Sequence, residues 1–196
     1  MIAAALASGV GLFQYRNKTG TRRSIVRTAR SIVEAVKRGG GIIILNDHAD
    51  IACAVGADGV HLGQDDLPLQ DARRVLGPDR IIGISTHSRS QAEAAEAGGA
   101  DYIGFGPLFP TRTKDAGPVQ GIERLRDIRR AVSLPIIAIG GISSVTAKDV
   151  IEAGAESVAV ISAVLSAPDP KAAIGVLQDS ILPVLGTRSH QRGIRK

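Results

Sequence analysis

The chain has 196 residues, of which 44% are hydrophobic and only 3% aromatic, with no tryptophan. This length suits one domain with a sizeable core, and the apolar content excludes a disordered chain. The scarcity of aromatic side chains argues against a stacking platform for single-stranded nucleic acid, so we expect no nucleic-acid partner. Most of the net charge of +5 comes from the last ten residues, TRSHQRGIRK, and we interpret 187–196 as a basic flexible tail.

The single cysteine, Cys53, excludes an internal disulfide and a cysteine-rich metal site. It is typical of a reducing compartment, and we predict a cytoplasmic protein. The apolar first ten residues follow no basic segment and are too short to span a bilayer as a helix. We therefore predict no membrane partner and interpret this segment as the end of an alanine-rich helix.

Short apolar runs alternate with amphipathic segments along the chain. Helices are predicted at 24–38, 49–55, 69–76, 90–97, 122–131 and 145–153, followed by a C-terminal helix at 171–186. The runs between them show no polar alternation, which indicates parallel strands buried on both faces. The seven predicted strands start near Leu12, Ile42, Val60, Ile81, Tyr102, Ile136 and Val158.

One helix-to-strand joint occurs three times, at 56–58 (GAD), 99–101 (GAD) and 154–156 (GAE). In each copy a glycine closes a helix and an acid precedes the next strand. Seven βα units of this length predict an α/β fold, a (β/α)8 TIM-type barrel over residues 1–170 whose first strand is missing. A doubly wound open sheet is the alternative, but polar residues follow every strand here and not only those at one switch point.

Polar residues at the carboxyl ends of the strands are the candidates for a site, because βα barrels bind ligands there. The stretch 104–114, GFGPLFPTRTK, ends a strand in glycines, hydroxyls and a lysine, which suits a phosphate. An ordinary loop with a surface lysine is the alternative. The strand ends together give Gln14, Arg16, Lys18, Asn46, Asp47, Asp66, Ser85, His87, Thr111, Thr113, Lys114, Gly141 and Ser162.

Two of these candidates, Asp47 and Asp66, are carboxylates that accompany the cations Arg16, Lys18 and Lys114. Mg²⁺ is usually held by one or two carboxylates together with substrate phosphates, so we predict a metal–diphosphate site with both acids as ligands. The alternative is that each acid only caps the next helix. The segments 137–142 and 158–163 suggest a second phosphate site on backbone N–H groups, with glycine packing as the alternative.

Seven short segments occur in this order along the chain: QYRNK (14–18), ND (46–47), GVHLGQDD (59–66), GIST (83–86), GFGPLFPTRTK (104–114), IAIGGI (137–142) and VAVISA (158–163). As an ordered set they resemble the thiamine phosphate synthase family, and the resemblance extends over nearly the whole chain. It implies a transferase that joins a hydroxymethylpyrimidine diphosphate to a thiazole phosphate and releases diphosphate, with Mg²⁺ as cofactor.

The resemblance also implies a role for each candidate. Arg16, Ser85 and Lys114 are implied as catalytic residues at the reacting centre, while Asp47 and Asp66 hold Mg²⁺. The reaction needs no protein nucleophile, so Cys53 and the histidines, His61 and His87 among them, are predicted to be structural. The implied substrate-binding residues are Gln14, Tyr15, Arg16, Asn17, Lys18, Asn46, Ser85, Thr111, Arg112, Thr113, Lys114, Gly141, Ile161 and Ser162.

The chain departs from the family pattern in two places. Asn17 stands where the family often has an acid, and the family begins with a further strand and a full helix before QYRNK. Two other functions therefore remain as hypotheses. One is an isomerase of the thiazole tautomerase type, which should not need the complete diphosphate and Mg²⁺ set. The other is a shortened, inactive relative that binds phosphorylated ligands or partner proteins.

Overall fold

The computed structural model describes residues 1–111 and 117–193. Strands and helices alternate along this part of the chain as predicted. The elements are α1 Ile2–Ala7, β1 Leu12–Tyr15, α2 Arg22–Arg38, β2 Ile42–Asn46, α3 Ala49–Val55, β3 Gly59–Leu62, α4 Leu69–Leu76, β4 Ile81–Thr86, α5 Arg89–Ala97, β5 Tyr102–Phe105, α6 Gly121–Ala131, β6 Ile136–Ile139, α7 Ala147–Glu152, β7 Ser157–Ala159, α8 Ser162–Leu165 and α9 Pro170–Gly193.

The sheet follows the order of the chain, from β1 to β7. The registers given for β1 to β4 and for β5 to β7 are all parallel. A doubly wound sheet reverses its strand order at a switch point, and this order contains no reversal. The predicted α/β fold with seven parallel strands is therefore confirmed, and its topology is TIM-like.

The first compact unit comprises Met1–Ser85 and Ala94–Tyr102. Its strands pair from Leu12↔Ile42 through to Leu62↔Ile84, and the middle of β2 is fully buried. Helix α2 begins where the Thr21 hydroxyl accepts a hydrogen bond from the Ser24 N–H. Its buried residues lie at helical spacing, which is why a sequence with many arginines still packs one face on the sheet; they are Ile25, Ala29, Val33 and Val36.

The second compact unit comprises Thr86–Glu93 and the chain from Ile103 onward. Strand β6 pairs with β5 from Ile103↔Ile136 and with β7 up to Ile139↔Ala159. Helices α6 and α7 cover these short strands. The large side chains that are fully buried here are Phe105, Leu108, Leu125, Ile136 and Ile151.

The repeated joint has one structure in all three copies. The acid that precedes the new strand accepts a hydrogen bond from the first or second backbone N–H of the previous strand, so its carboxylate fixes the register at the amino end of the sheet. We call these three residues the strand-start acids. The bonds run from Ile43 to Asp58 at 2.8 Å, from Ile82 to Asp101 at 2.7 Å and from Ile136 to Glu156 at 2.7 Å.

Each strand-start acid also has a cation from a preceding helix. This second partner neutralises the carboxylate, which is half-buried at Asp58 and Glu156 and exposed at Asp101. The ion pairs are Lys37–Asp58 at 3.1 Å, Arg73–Asp101 at 2.7 Å and Arg129–Glu156 at 3.0 Å.

Two boundaries near the end of the chain differ from the prediction. Strand β7 was predicted at 158–161 but ends at Ala159, because its partner β6 ends at Ile139 and the next two residues, Gly140 and Gly141, have positive φ and leave the ladder. The short helix α8, which follows at once, was not predicted. The last helix, α9, runs beyond residue 186 to Gly193.

Candidate functional site

The first unit brings the two predicted metal ligands into contact. Asp47 follows β2 directly, and Asp66 lies in the loop after β3; their carboxyl groups are close enough to shift each other's pKa. Lys18 forms an ion pair with Asp47, and the Asn46 amide donates to the other oxygen of the same carboxylate. We call Asp47 and Asp66 the carboxylate pair. The structure thus joins Lys18, Asn46, Asp47 and Asp66 in one cluster.

The two acids of the carboxylate pair are not equivalent. Burial raises the pKa of Asp47, and the neighbouring Asp66 raises it further, although Lys18 acts in the opposite direction. Burial also opposes ionisation of Asp66, but the Gly63 N–H, at 2.6 Å from its Oδ2, the bond with Asp47 and the charge of Lys18 together lower the pKa of Asp66. Such opposite shifts are expected when two carboxyl groups share one site.

The backbone at Asp47 is also unusual. Asp47 has φ of 67° and is the only residue other than glycine with a positive φ among the described residues. Aspartate tolerates the left-handed region better than most residues, but the conformation still costs free energy. Its N–H donates to the carbonyl of His61 at 2.8 Å, which ties the end of β2 to β3. This bond keeps the strained residue, and with it the carboxylate, in place.

The segment QYRNK divides into exposed and anchored side chains. Gln14, Arg16 and Lys18 are exposed. The half-buried Asn17 donates to the Tyr15 hydroxyl at 3.2 Å, and its Oδ1 accepts the Gly20 N–H at 2.8 Å. Asn17, where the family often has an acid, therefore organises the loop that carries Lys18.

Ser85 lies at the end of β4 and is held by side chains from β3 and the following loop. Its Oγ is 2.8 Å from His61 Nε2, and its carbonyl accepts a bond from the Gln64 amide at 2.6 Å. His61 Nδ1 is 2.9 Å from the Tyr102 hydroxyl, which also interacts with the Gln14 side chain. A connected set therefore joins two predicted substrate-binding residues, Gln14 and Ser85.

Sequence reasoning assigned His61 only a structural role and did not consider Tyr102. A signal was present, because His61 is the one polar residue in the otherwise apolar strand Gly59–Leu62 and is only 7% exposed. Buried polar side chains need partners. Its two ring nitrogens therefore predict two neighbouring polar groups, although not which ones.

In the second unit, backbone contacts hold the loop after β5 against the end of β6. Gly141 has φ of 68°, and a Cβ there would lie 2.6 Å from the Pro110 carbonyl oxygen. The Leu108 and Phe109 N–H groups donate to the carbonyls of Ile139 and Gly140 at 2.9 and 3.0 Å. Any larger residue at 141 would push the loop after β5 away from the end of β6.

The remaining candidate site residues of the second unit follow β4, β5 and β7 along the chain. Ile161 is 52% exposed and directly precedes α8, which Ser162 begins; Thr111 is half-buried at the end of the described loop. His87 Nδ1 bonds the carbonyl of Gly106, in keeping with a structural role. The predicted residues Arg112, Thr113 and Lys114 lie outside the described residues.

Within 1–111 and 117–193 there is no group of three or more His, Cys, Asp or Glu side chains that could hold a metal ion. The carboxylate pair contributes two acids, and its assignment as a metal site stays a prediction. Among the described helices, none combines the length and the apolar character that a membrane span needs.

Known proteins similar to this chain share both its sequence and its fold. The thiamine-phosphate synthase of Chlorobium phaeovibrioides is 50% identical over 174 residues, which cover 88% of this chain and 83% of the relative. That of Shouchella clausii is 46% identical over 170 residues, covering 86% and 81%. A solved thiamine phosphate pyrophosphorylase from Pyrococcus furiosus is 38% identical, with a TM-score of 0.87 over 94% of this chain and 89% of that one.

The family model described as thiamine monophosphate synthase matches residues 1–164. Together with the relatives, this match confirms the resemblance inferred from the seven segments and the predicted function, a transferase of thiamine phosphate synthesis. The chain belongs to the thiamine monophosphate synthase family.

Proposed function

We propose that this chain couples a hydroxymethylpyrimidine diphosphate with a thiazole phosphate in a Mg²⁺-dependent reaction. The observation that carries the proposal is the cluster of Lys18, Asn46, Asp47 and Asp66, in which a lysine and two touching carboxylates converge at the ends of neighbouring strands. A diphosphate with a divalent cation is complementary to such a cluster, because the cation relieves the repulsion between the acids and the lysine contacts the phosphate.

The carboxylate pair fits Mg²⁺ by its chemistry. Both acids supply hard oxygen ligands, and the raised pKa of Asp47 reflects burial and a like-charge neighbour. Mg²⁺ bound there would supply charge neutralisation at the leaving diphosphate. Asp47 and Asp66 would hold it, and Asn46 orients the carboxylate of Asp47.

Cationic side chains of the chain would act on the leaving group. In the proposed reaction the C–O bond to the pyrimidine methylene breaks first, and the electron pair departs with diphosphate. Arg16 and Lys18, both exposed at the end of β1, stabilise this growing negative charge, and Lys114 is predicted to do the same. The Ser85 hydroxyl lies beside the reacting centre, and Gln14 binds the pyrimidine.

The thiazole phosphate is proposed to bind at the strand ends of the second unit. Its ring nitrogen supplies the electron pair for the new C–N bond, and no protein nucleophile takes part. Thr111, Gly141, Ile161 and Ser162 are proposed to hold its phosphate, with Arg112 and Thr113 as further predicted contacts. The absence of a side chain at Gly141, which lets the loop after β5 approach closely, supports a backbone site for phosphate.

The remaining proposals concern the complete fold and the compartment. We propose that β1 to β7 are seven of the eight strands of a TIM-type barrel, which their chain-ordered, parallel arrangement supports. We also propose a cytoplasmic location, which the single, unpaired Cys53 supports.

The decisive experiment is to incubate the purified chain with both substrates and to measure thiamine phosphate and diphosphate. We expect product in the presence of Mg²⁺ and none after chelation, with recovery when Mg²⁺ is restored. Turnover that persists through chelation would contradict the metal assignment. Conversion of a thiazole substrate without the pyrimidine diphosphate would instead identify an isomerase, and binding without any turnover an inactive relative.

A further inference from the structure

His61 and Tyr102 connect two substrate-binding residues but have no task in the reaction as proposed. The Tyr102 hydroxyl interacts with the Gln14 side chain and lies 2.9 Å from His61 Nδ1, and His61 Nε2 lies 2.8 Å from Ser85 Oγ. His61, Ser85 and Tyr102 are all less than 10% exposed. A buried polar network of this kind fixes the orientation of its members when each is satisfied. The described side chains include no buried nitrogen or oxygen without a partner.

Gly83 determines where the Tyr102 hydroxyl can lie. It is the residue of β4 that pairs with His61 of β3. A Cβ at position 83 would come within 2.0 Å of Tyr102 Cζ and 2.4 Å of its hydroxyl oxygen. The ring therefore occupies the space that a side chain at position 83 would fill, and its hydroxyl meets the imidazole, whose centroid is 5.4 Å from that of the phenol. The contact between Tyr102 and His61 therefore depends on the pairing of β3 with β4, which sets Gly83 beside His61.

The positions of the protons on Tyr102, His61 and Ser85 follow from the interaction of Tyr102 with Gln14. Burial raises the pKa of Tyr102 while the Gln14 bond lowers it, with a net rise, so the hydroxyl keeps its proton at neutral pH. When the Gln14 amide donates to the Tyr102 oxygen, Tyr102 donates to His61 Nδ1. The imidazole proton then stays on Nε2 and is donated to Ser85 Oγ. The Ser85 hydroxyl proton is left to point away from His61.

If the hydrogen bonds between Tyr102, His61 and Ser85 donated in the opposite direction, Ser85 would have a different role. Ser85 would then donate to His61, and only its lone pairs would face the ligand. Lone pairs repel the anionic oxygens of a diphosphate, whereas a hydroxyl proton binds them. A Ser85 hydroxyl proton is therefore free to bind an anionic diphosphate oxygen only when Tyr102 donates to His61 and His61 donates to Ser85.

We propose that Tyr102 and His61 are positioning residues that hold the Ser85 hydroxyl as a hydrogen-bond donor toward an anionic oxygen of the substrate. The inference rests on the proposed function and adds to it a second pair of residues behind Ser85. Neither residue touches the substrate oxygen in this scheme. Their effect on catalysis must therefore pass through Ser85.

A double-mutant cycle between His61 and Ser85 tests this directly. His61→Asn keeps an amide near the Nδ1 position but cannot reach Ser85, and we expect kcat to fall about tenfold or more. In a Ser85→Ala background the same substitution should cause no further loss, because the group it positions is gone. Equal losses in both backgrounds would overturn the inference. A Ser85→Ala enzyme with unchanged kcat would overturn it too, together with the proposed role of Ser85.

Two further variants separate positioning from folding. His61→Gln places an amide near the Nε2 position, so it should recover part of the kcat that His61→Asn loses. A His61→Gln enzyme as slow as His61→Asn would contradict the model. Tyr102→Phe should lower kcat several-fold in the Ser85 enzyme and not in the Ser85→Ala enzyme.

Val33→Ala, in the buried face of α2, is the matched control for a loss of stability without a polar change. It should lower the melting temperature and leave kcat unchanged. Formation of thiamine phosphate by the unaltered chain tests the proposed function independently of these variants.

Discussion

Carboxylates occur at both ends of the strands, and their surroundings differ completely. At the amino ends, the strand-start acids Asp58, Asp101 and Glu156 each accept a backbone N–H and pair with a cation. At the carboxyl ends, Asp47 and Asp66 face each other and share one lysine. The first group has all its charge compensated within the protein, whereas the second has more negative charge than the protein neutralises.

This difference teaches how to separate structural from functional acids in one chain. A carboxylate whose partners are complete stabilises the fold and offers nothing to a ligand. A pair of carboxylates in contact is unfavourable in isolation, and a cation can relieve it. The comparison predicts that the strand-start acids affect stability, and that the carboxylate pair affects activity.

The largest expected effect is that of Asp66→Asn on turnover. The amide oxygen can still accept the Gly63 N–H bond, so the loop should keep its shape. The charge that we propose binds Mg²⁺ is lost, and we expect kcat/KM at saturating thiazole phosphate to fall by about a hundredfold or more. Steady-state kinetics at several Mg²⁺ concentrations measure this loss.

Asp65→Asn is the matched control for that variant. Asp65 is the neighbouring acid, is exposed, and belongs to neither the carboxylate pair nor any ion pair given for the described residues. Its kcat/KM should stay within about twofold of the unaltered enzyme. Similar losses in the two variants would mean that the loop tolerates no change, and that Asp66 has no special role.

A smaller effect, on stability alone, is expected at Glu156. Its carboxylate holds the Ile136 N–H and lies 3.0 Å from Arg129, and both side chains are mostly buried. Glu156→Ala should lower the free energy of unfolding by about 1–3 kcal/mol, because the Ile136 N–H loses its side-chain acceptor and Arg129, which keeps the carbonyls of Val132 and Leu134, loses its charge partner. Urea denaturation measures the loss.

Glu156→Gln separates the two partners of that acid. The amide oxygen can still accept the Ile136 N–H, so this variant should lose less stability than Glu156→Ala. In both variants the KM values should be unchanged. A raised KM for either substrate would show that the strand-start acids also shape the site, and would end the distinction between the two groups.

The order of the elements could be predicted from the sequence because it depends on local patterns. Apolar runs, amphipathic segments and closing glycines act over a few residues, and all seven strands were found. Strand ends depend on distant partners, and local patterns do not determine them. The sequence analysis places Ser85 at a strand end without fixing the last residue of that strand, and β4 includes both Ser85 and Thr86; Ser85 bonds His61 there, and the buried Thr86 bonds the Gly104 carbonyl at 3.3 Å.

The site could be predicted as a set of residues but not as a network. The resemblance named Asp47, Asp66 and Ser85 as members. It did not indicate the left-handed backbone of Asp47, which results from the turn between β2 and α3. Nor did it show that Tyr102 fills the space above Gly83, since that contact depends on the register of β3 and β4 and on the direction of β5.

The smallest expected effect, and the most discriminating, is a gain of stability in Asp47→Asn. Burial and the neighbouring Asp66 raise the pKa of Asp47, so the ionised form is disfavoured in the folded chain. Asparagine tolerates the left-handed backbone as aspartate does, and it carries no charge toward Asp66. The Lys18 ion pair that it loses is worth little, because the lysine side chain is 47% exposed.

The sign of the pH dependence follows from that raised pKa. As the pH rises above the ordinary value of 3.8, the unfolded chain loses the Asp47 proton first, and the stability of the unaltered protein declines until the folded pKa is passed. Asp47→Asn lacks this decline, so in the presence of a chelator its stability relative to the unaltered chain should be higher at pH 7 than at pH 3, by roughly 1 kcal/mol or less. Urea unfolding at both pH values measures the difference, with Asp65→Asn as the control that should show no such gain. If the carboxylate pair binds Mg²⁺ as proposed, added Mg²⁺ should raise the melting temperature of the unaltered chain but not of Asp47→Asn, because the variant lacks one of the two ligands. A variant that is equally destabilised at both pH values would show that Asp47, like the strand-start acids, has its charge fully compensated, and the distinction between the two ends of the strands would fail.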